Sequence, residues 1–274
     1  MKRPNAPMPQ HSSTRSLQHS AAADPWYALR RWTPARIALG RAGGSLLTGA
    51  LLEFRLAHAR AVDAVHQPFD ADGLAGKLGA LCLNTAAHDR ATYLHRPDLG
   101  RILGEDSRGK LQRGTCDLVV IISDGLSALA SERQVPPLLT ELLPRLESAS
   151  WKLAPLIVVK HARVALQDEI GRIVGATLAL TLIGERPGLV APDSLSAYLV
   201  YDPKPGNTDA QRNCVSNIRP AGLPPADAAA KLFYLLTEAR HGKISGIHLK
   251  DESVLPPSSF HPSTLPTSRP SSTP

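Results

Sequence analysis

The chain has 274 residues, 43% of them hydrophobic, which suits one large domain or two small ones around a real core. Its net charge of +7 does not describe a nucleic-acid binder. Lys2, Arg3 and Arg15 sit at the N-terminal end, the other cations are scattered among acids, and only 4% of residues are aromatic and available for base stacking.

No apolar run approaches the ~18 residues of a membrane span, and the N-terminus lacks the apolar core of a signal peptide, so a cytoplasmic protein is expected. Residues 1–23 carry no apolar periodicity and are expected to form a flexible tail. From 24 to 114 the pattern is helical, with no convincing strand. Thr33-Pro34 reads as an N-cap with proline at the first helical position, and Gly40 closes that short helix. GRAGGS (40–45) lacks any phosphate-loop pattern and reads as a turn between helices. A longer helix over about 48–65 places Leu51, Leu52, Leu56, Ala59 and Val62 along one stripe.

From Thr115 the pattern changes. LVVIIS (118–123), PLIVVK (155–160) and ATLALTLIG (176–184) are near-continuous apolar runs, as expected of strands covered on both faces. Helical segments over about 125–132, 137–148 and 165–174 separate them. LSAYLVY (195–201) reads as a further strand at an edge, and 226–240 as a covering helix. The fold class is therefore α/β, with a mainly parallel, Rossmann-like sheet over about 115–251 and a helical region over 24–114 before it. The Pro/Ser/Thr-rich residues 252–274 read as a second tail.

Ligands of such a sheet bind beyond the carboxyl ends of its strands. Those ends carry Ser123-Asp124-Gly125, Lys160-His161-Ala162-Arg163 and Glu185-Arg186-Pro187-Gly188. Glu185 either faces a ligand there or serves structure, as an ion pair with Arg186 or a helix cap. No GxSxG elbow surrounds Ser127, His161 has no companion at metal-ligand spacing, and neither HExxH nor DxHxxG occurs. Cys82, Cys116 and Cys214 fit neither a zinc spacing nor a disulfide framework and read as reduced thiols. No complete catalytic set can be assembled, and the features suit a binding surface. A stand-alone small-molecule enzyme with Asp124, His161 and Glu185 as acid–base groups is the alternative.

Six stretches resemble the small (light) subunit of ethanolamine ammonia-lyase. They are LRRWTPARIALGRAGGSLLT (29–48), LHRPDLGR (94–101), VVIISDGLSALA (119–130), HARVALQDEIGRIVGA (161–176), the long LIGERPGLVAPDSLSAYLVYDPKPGNTDAQRNCVSNIRPAG (182–222), and SGIHLKD (245–251). The resemblance implies a bacterial enzyme that converts ethanolamine to acetaldehyde and ammonia with adenosylcobalamin. The cofactor would lie between this chain and a large subunit that carries most catalytic groups, in a hetero-oligomer of large–small pairs. It also implies no protein ligand to cobalt, because the family leaves the cofactor's benzimidazole on the metal. The family's cofactor contacts fall on Val164 of HARVALQDEIG, Glu185 of GERPGL and Cys214 of RNCVSNI. A carboxylate can accept corrin amide N–H groups, a valine offers apolar surface, and a thiol packs closely or stays a buried structural group. The helical first half becomes the docking region, where Arg30, Arg31, Arg36 and Arg41 either meet acids of the large chain or remain solvated. Some relatives carry an N-terminal amphipathic helix for packaging in a microcompartment. Residues 1–23 show no such stripe.

Overall fold

The computed structural model describes residues 24–253. The tail expected at 1–23, and all but the first two residues of that expected at 252–274, fall outside this range. The chain divides into two units, Met1–Glu53 with His261–Pro274, and Phe54–Phe260.

The described part of the first unit departs from expectation. Thr33-Pro34 starts no α-helix. The Thr33 hydroxyl accepts the Ala35 N–H at 3.1 Å, a local turn, and Ala38 and Gly40 then adopt left-handed backbone that no helix continues through. The helical turn lies earlier, as a 3-10 segment Tyr27–Arg31. The glycine loop is a tight reversal closed by a bridge between Ala42 and Ser45.

Helix α1 (Thr48–His66) runs as the sequence indicates, but its apolar stripe does not enter a core. Ala64 is its one buried residue, and Leu52, Leu56 and Val62 are exposed. Helix α2 (Ala71–Leu78) follows, capped by the Asp70 side chain and ended by left-handed Gly79.

Six strands form one sheet in the order β1-β3-β2-β4-β5-β6. Strand β1 (Leu81–Asn84) pairs parallel to β3 (Ile157–Lys160), β3 to β2 (Cys116–Ser123), and β2 to β4 (Ala176–Gly184). Strands β5 (Leu195–Tyr201) and β6 (Arg212–Ile218) complete it antiparallel. Two expectations are corrected here. The region 24–114 does hold a strand, since LCLN is too short to signal itself and is recruited by β3. LSAYLVY lies inside the sheet, because the more polar RNCVSNI takes the edge.

Alternation along the strands separates two apolar layers. Leu118, Val120 and Ile122 pack with α2, α5 (Ala128–Ser148) and α7 (Pro225–Gly242), whereas Val119, Ile121 and Ala179 pack under α6 (Leu166–Val174). Helix α5 is continuous where two helices are expected, despite Pro136, Pro137 and Pro144. Leu138, Leu139, Leu142 and Leu146 are fully buried along it. At roughly 1.5–3 kcal/mol each they contribute about 6–12 kcal/mol, comparable with the roughly 9 kcal/mol that three interior prolines cost at ~3 each. Two short helices, α3 (Arg90–His95) and α4 (Glu105–Arg108), stand between β1 and β2.

After β2 the chain moves to β3 on one side, and after β3 it crosses to β4 on the other. The strand order thus reverses at β2, and ligands of such sheets generally sit beyond the carboxyl edge at a reversal of this kind.

Candidate functional site

The parallel registers align the carboxyl ends in one row. Val159 lies opposite both Leu83 and Ser123, and Ser123 opposite Ile183. The residues just beyond are Thr85, Asp124, His161 and Glu185. Position 184, the last of β4, must be glycine because a side chain there would collide with the turn after β2. An added Cβ would stand 2.0 Å from the Ser127 carbonyl and 2.5 Å from that of Asp124. The Leu126 N–H donates to Gly184 O at 3.0 Å, so the two turns are locked together.

Glu185 is half-buried and forms no ion pair with the exposed Arg186. Its Oε1 instead accepts the Ser196 hydroxyl from β5 and, at 3.0 Å, the backbone N–H of Asn217 from β6. A β-bulge makes the second bond. Strand β6 places two residues, Ser216 and Asn217, between Val215 and Ile218 where β5 places one, Ser196, between Leu195 and Ala197, and Asn217 is left-handed (φ 58°). The extra residue turns its N–H away from the ladder and toward the carboxylate. Among the described residues Oε2 has no hydrogen-bond partner. The Glu185 N–H is fixed on Ser194 O at 2.9 Å, and the buried Ser194 hydroxyl has no partner among the described residues.

Cys214 joins the same cluster. Its thiol donates to Ser196 Oγ at 3.9 Å, and Tyr198 is its cross-strand partner. Burial pushes Tyr198 up to about 12, aided by Cys214 and Glu185, so its hydroxyl stays protonated. Cys214 as a whole is exposed on the edge strand, but its thiol lies against the Ser196 hydroxyl, and desolvation raises its pKa above the ordinary 9.0. Because the thiolate is the nucleophile, iodoacetamide should label Cys214 ahead of the half-buried Cys82 and Cys116, with a pH–rate midpoint above 9. A midpoint below 9 would contradict this placement of the sulfur.

Val164 sits half-buried in the turn that opens α6. No hydrogen bond ties it to Glu185 or Cys214, but the next turn of α6 reaches their neighbours. With the Gln167 amide turned so that both of its ends are satisfied, its nitrogen donates to Thr181 Oγ1 (3.2 Å) and Tyr198 O (3.1 Å), and its oxygen accepts Arg212 Nε (3.1 Å). Arg212 and Asp168 form an ion pair that is almost fully buried, with Asn207 donating to Asp168 Oδ1 at 3.2 Å. Helix α6 is thereby fastened to β4, β5 and β6.

The alternative acid–base set does not form. Asp124 is buried, and both its oxygens are occupied. Oδ1 accepts the backbone N–H of His161 (2.8 Å) and the Ser123 hydroxyl (3.0 Å), while Oδ2 pairs with Arg90 at 2.8 Å. The imidazole of His161 meets the Ala87 carbonyl at 3.1 Å and not the carboxylate. Asp124 therefore holds a turn and cannot act on the ring as a base. No group of His, Cys, Asp and Glu among the described residues is arranged to hold a metal. Sequence reasoning missed Ser196, Tyr198 and Asn217. The first two alternate on one face of β5, which was a readable signal; the bulge that recruits Asn217 was not.

Fold and edge together define an α/β protein that gathers polar side chains at the carboxyl ends of its strands. Comparison with known proteins specifies the class further. The chain matches the ethanolamine ammonia-lyase light chain (EutC) family over residues 23–250, and it belongs to that family. It is 52% identical over 244 residues to the ethanolamine ammonia-lyase small subunit of Azotobacter vinelandii, covering 85% of this chain and 90% of that one. The small subunit of Pseudomonas putida KT2440 is 51% identical over 241 residues (84% and 89%), and that of Pseudomonas syringae pv. tomato 49% over 248 (86% of each). No helix among the described residues is long and apolar enough to cross a membrane.

Proposed function

We propose that this chain is the small subunit of an adenosylcobalamin-dependent ethanolamine ammonia-lyase, closing over the cofactor against a large catalytic subunit. The observation that carries this reading is Glu185: one carboxylate oxygen is anchored on β5 and β6, and the other takes no hydrogen bond from the described residues. A carboxylate with a free acceptor oxygen near a small thiol fits a ring rimmed with amide N–H groups. Glu185 would accept those groups, Cys214 would pack at close range, and Val164 would offer apolar surface. The cofactor, when bound, supplies the radical chemistry that removes ammonia. This chain's own residues bind, orient and exclude water.

The region 24–114 is the proposed docking face for the large subunit. Trp26, Leu29, Trp32 and Leu52 are exposed there, and a monomer gains nothing from leaving them in water. Arg30 and Arg31 stack on Tyr27 and Trp32 and are held ready for acidic partners.

The test is assembly and turnover. The purified chain alone should form no acetaldehyde from ethanolamine. Combined with the large subunit and adenosylcobalamin, it should restore full activity. Deamination by the isolated chain would overturn the reading, and so would full activity of the large subunit without it.

A further inference from the structure

The turn that presents Val164 is fixed to an unusual degree. Every backbone polar group of three consecutive residues is bonded, and the partners come from separate segments. The His161 N–H donates to Asp124 Oδ1 (2.8 Å), and its carbonyl accepts the Thr85 hydroxyl (3.2 Å). The Ala162 N–H donates to Ser123 Oγ (3.0 Å), and its carbonyl accepts the Tyr93 hydroxyl (3.3 Å). The Arg163 N–H donates to Gly100 O (2.8 Å), and its carbonyl accepts the Leu166 N–H (2.9 Å).

His161 is held left-handed (φ 61°), a conformation a non-glycine residue keeps only when its surroundings impose it. Tyr93 is the centre of this clamp. Its ring is 1% exposed, with the guanidiniums of Arg163 and Arg90 at 4.0 and 5.1 Å from the centroid and the His161 ring stacked at 5.7 Å. Arg163 also donates to Tyr93 O at 2.9 Å. Among the described residues its Nε, like one Nη of Arg90, is buried without a hydrogen bond. That cost is tolerated where the planar cations pack against the aromatic ring.

So many groups spent on three residues far exceed what a surface turn needs, and the clamp ends one residue before Val164. We propose that Tyr93, with Thr85 beside it, is a positioning residue: it fixes the 161–163 turn so that Val164 meets the cofactor preformed. This rests on the reading of Val164 as a cofactor contact. A preformed contact avoids an ordering cost at binding, so loosening the clamp weakens affinity more than it slows turnover.

The test uses the large–small complex, with adenosylcobalamin binding followed by calorimetry beside a thermal melt and turnover at saturating cofactor. Tyr93→Phe keeps the ring between the guanidiniums and removes only the bond to the Ala162 carbonyl. Loss of one such bond should raise the Kd about 3- to 10-fold, with a smaller loss of turnover at saturation. Val164→Ala should also weaken binding, and the double variant should bind no worse than Val164→Ala alone, because the clamp acts through Val164. Thr85→Val carries the same expectation should Tyr93→Phe fail to fold. A lowered melt with unchanged Kd in both clamp variants overturns the proposal and leaves the residues purely structural. If Val164→Ala weakens binding but the clamp variants do not, the cofactor reading stands and the positioning role falls. If Val164→Ala and Val164→Asp both bind normally, the contact itself is wrong and both fall.

Discussion

Glu185→Gln is expected to weaken adenosylcobalamin binding about 10- to 100-fold in the assembled complex. The amide keeps one oxygen, and the Ser196 hydroxyl and the Asn217 N–H, both donors, orient that oxygen inward. The NH2 is then left at the outward position, where it faces the donors of the corrin rim. The change removes a charge-assisted bond worth roughly 1.5–3 kcal/mol, which is the stated range of affinity. Turnover at saturating cofactor should fall less. The melting temperature should change little, because the inward bonds survive in neutral form. Glu185→Ala removes both functions, so it should lower affinity and melting temperature together. A titration of activity against cofactor, beside thermal melts of both variants, separates the roles. A normal titration midpoint for Glu185→Gln would leave Glu185 only its structural task.

Asp168→Ala should produce the largest loss of stability. Arg212 and Asp168 are 8% and 3% exposed, and removal of the carboxylate strands a buried guanidinium. Asp209, fully exposed, and the Asn207 carbonyl replace little of it. Breaking one partner of such a pair costs about 3–5 kcal/mol, or roughly 6–20 °C of melting temperature in a domain of this size. Replacing both partners by apolar residues, Asp168→Leu with Arg212→Met, should recover most of it, because the penalty lies in the unpaired charge. A single-variant shift of under about 2 °C would show that water reaches the pair. Since α6 also carries the turn of Val164, the single variant should lose cofactor affinity as well.

Much of the architecture was legible locally. The near-continuous apolar runs of β2, β3 and β4 announced strands covered on both faces, and α6 and α7 lie within two residues of their expected bounds. The polar ends of those strands marked the edge that matters. Val164, Glu185 and Cys214 came from the family resemblance and not from periodicity. The structure then joined Glu185 and Cys214 through Ser196, a residue that reads from sequence as ordinary strand.

Apolar runs, breakers and caps act over a few residues, so the sequence by itself determined the α/β class, the parallel strands at the centre and the polar carboxyl edge. Only the tertiary structure decided how those pieces were spent. It recruited four residues as β1 and placed β5 inside the sheet. It also carried α5 through three prolines on the strength of its buried leucines. It turned Asp124 from a candidate base into a backbone anchor, and it brought the Asn217 N–H to Glu185 across 32 residues by a single bulge. Each of these depends on a partner far away in the chain. The energy that selects it is packing and hydrogen-bond satisfaction in the folded state, which no local pattern carries.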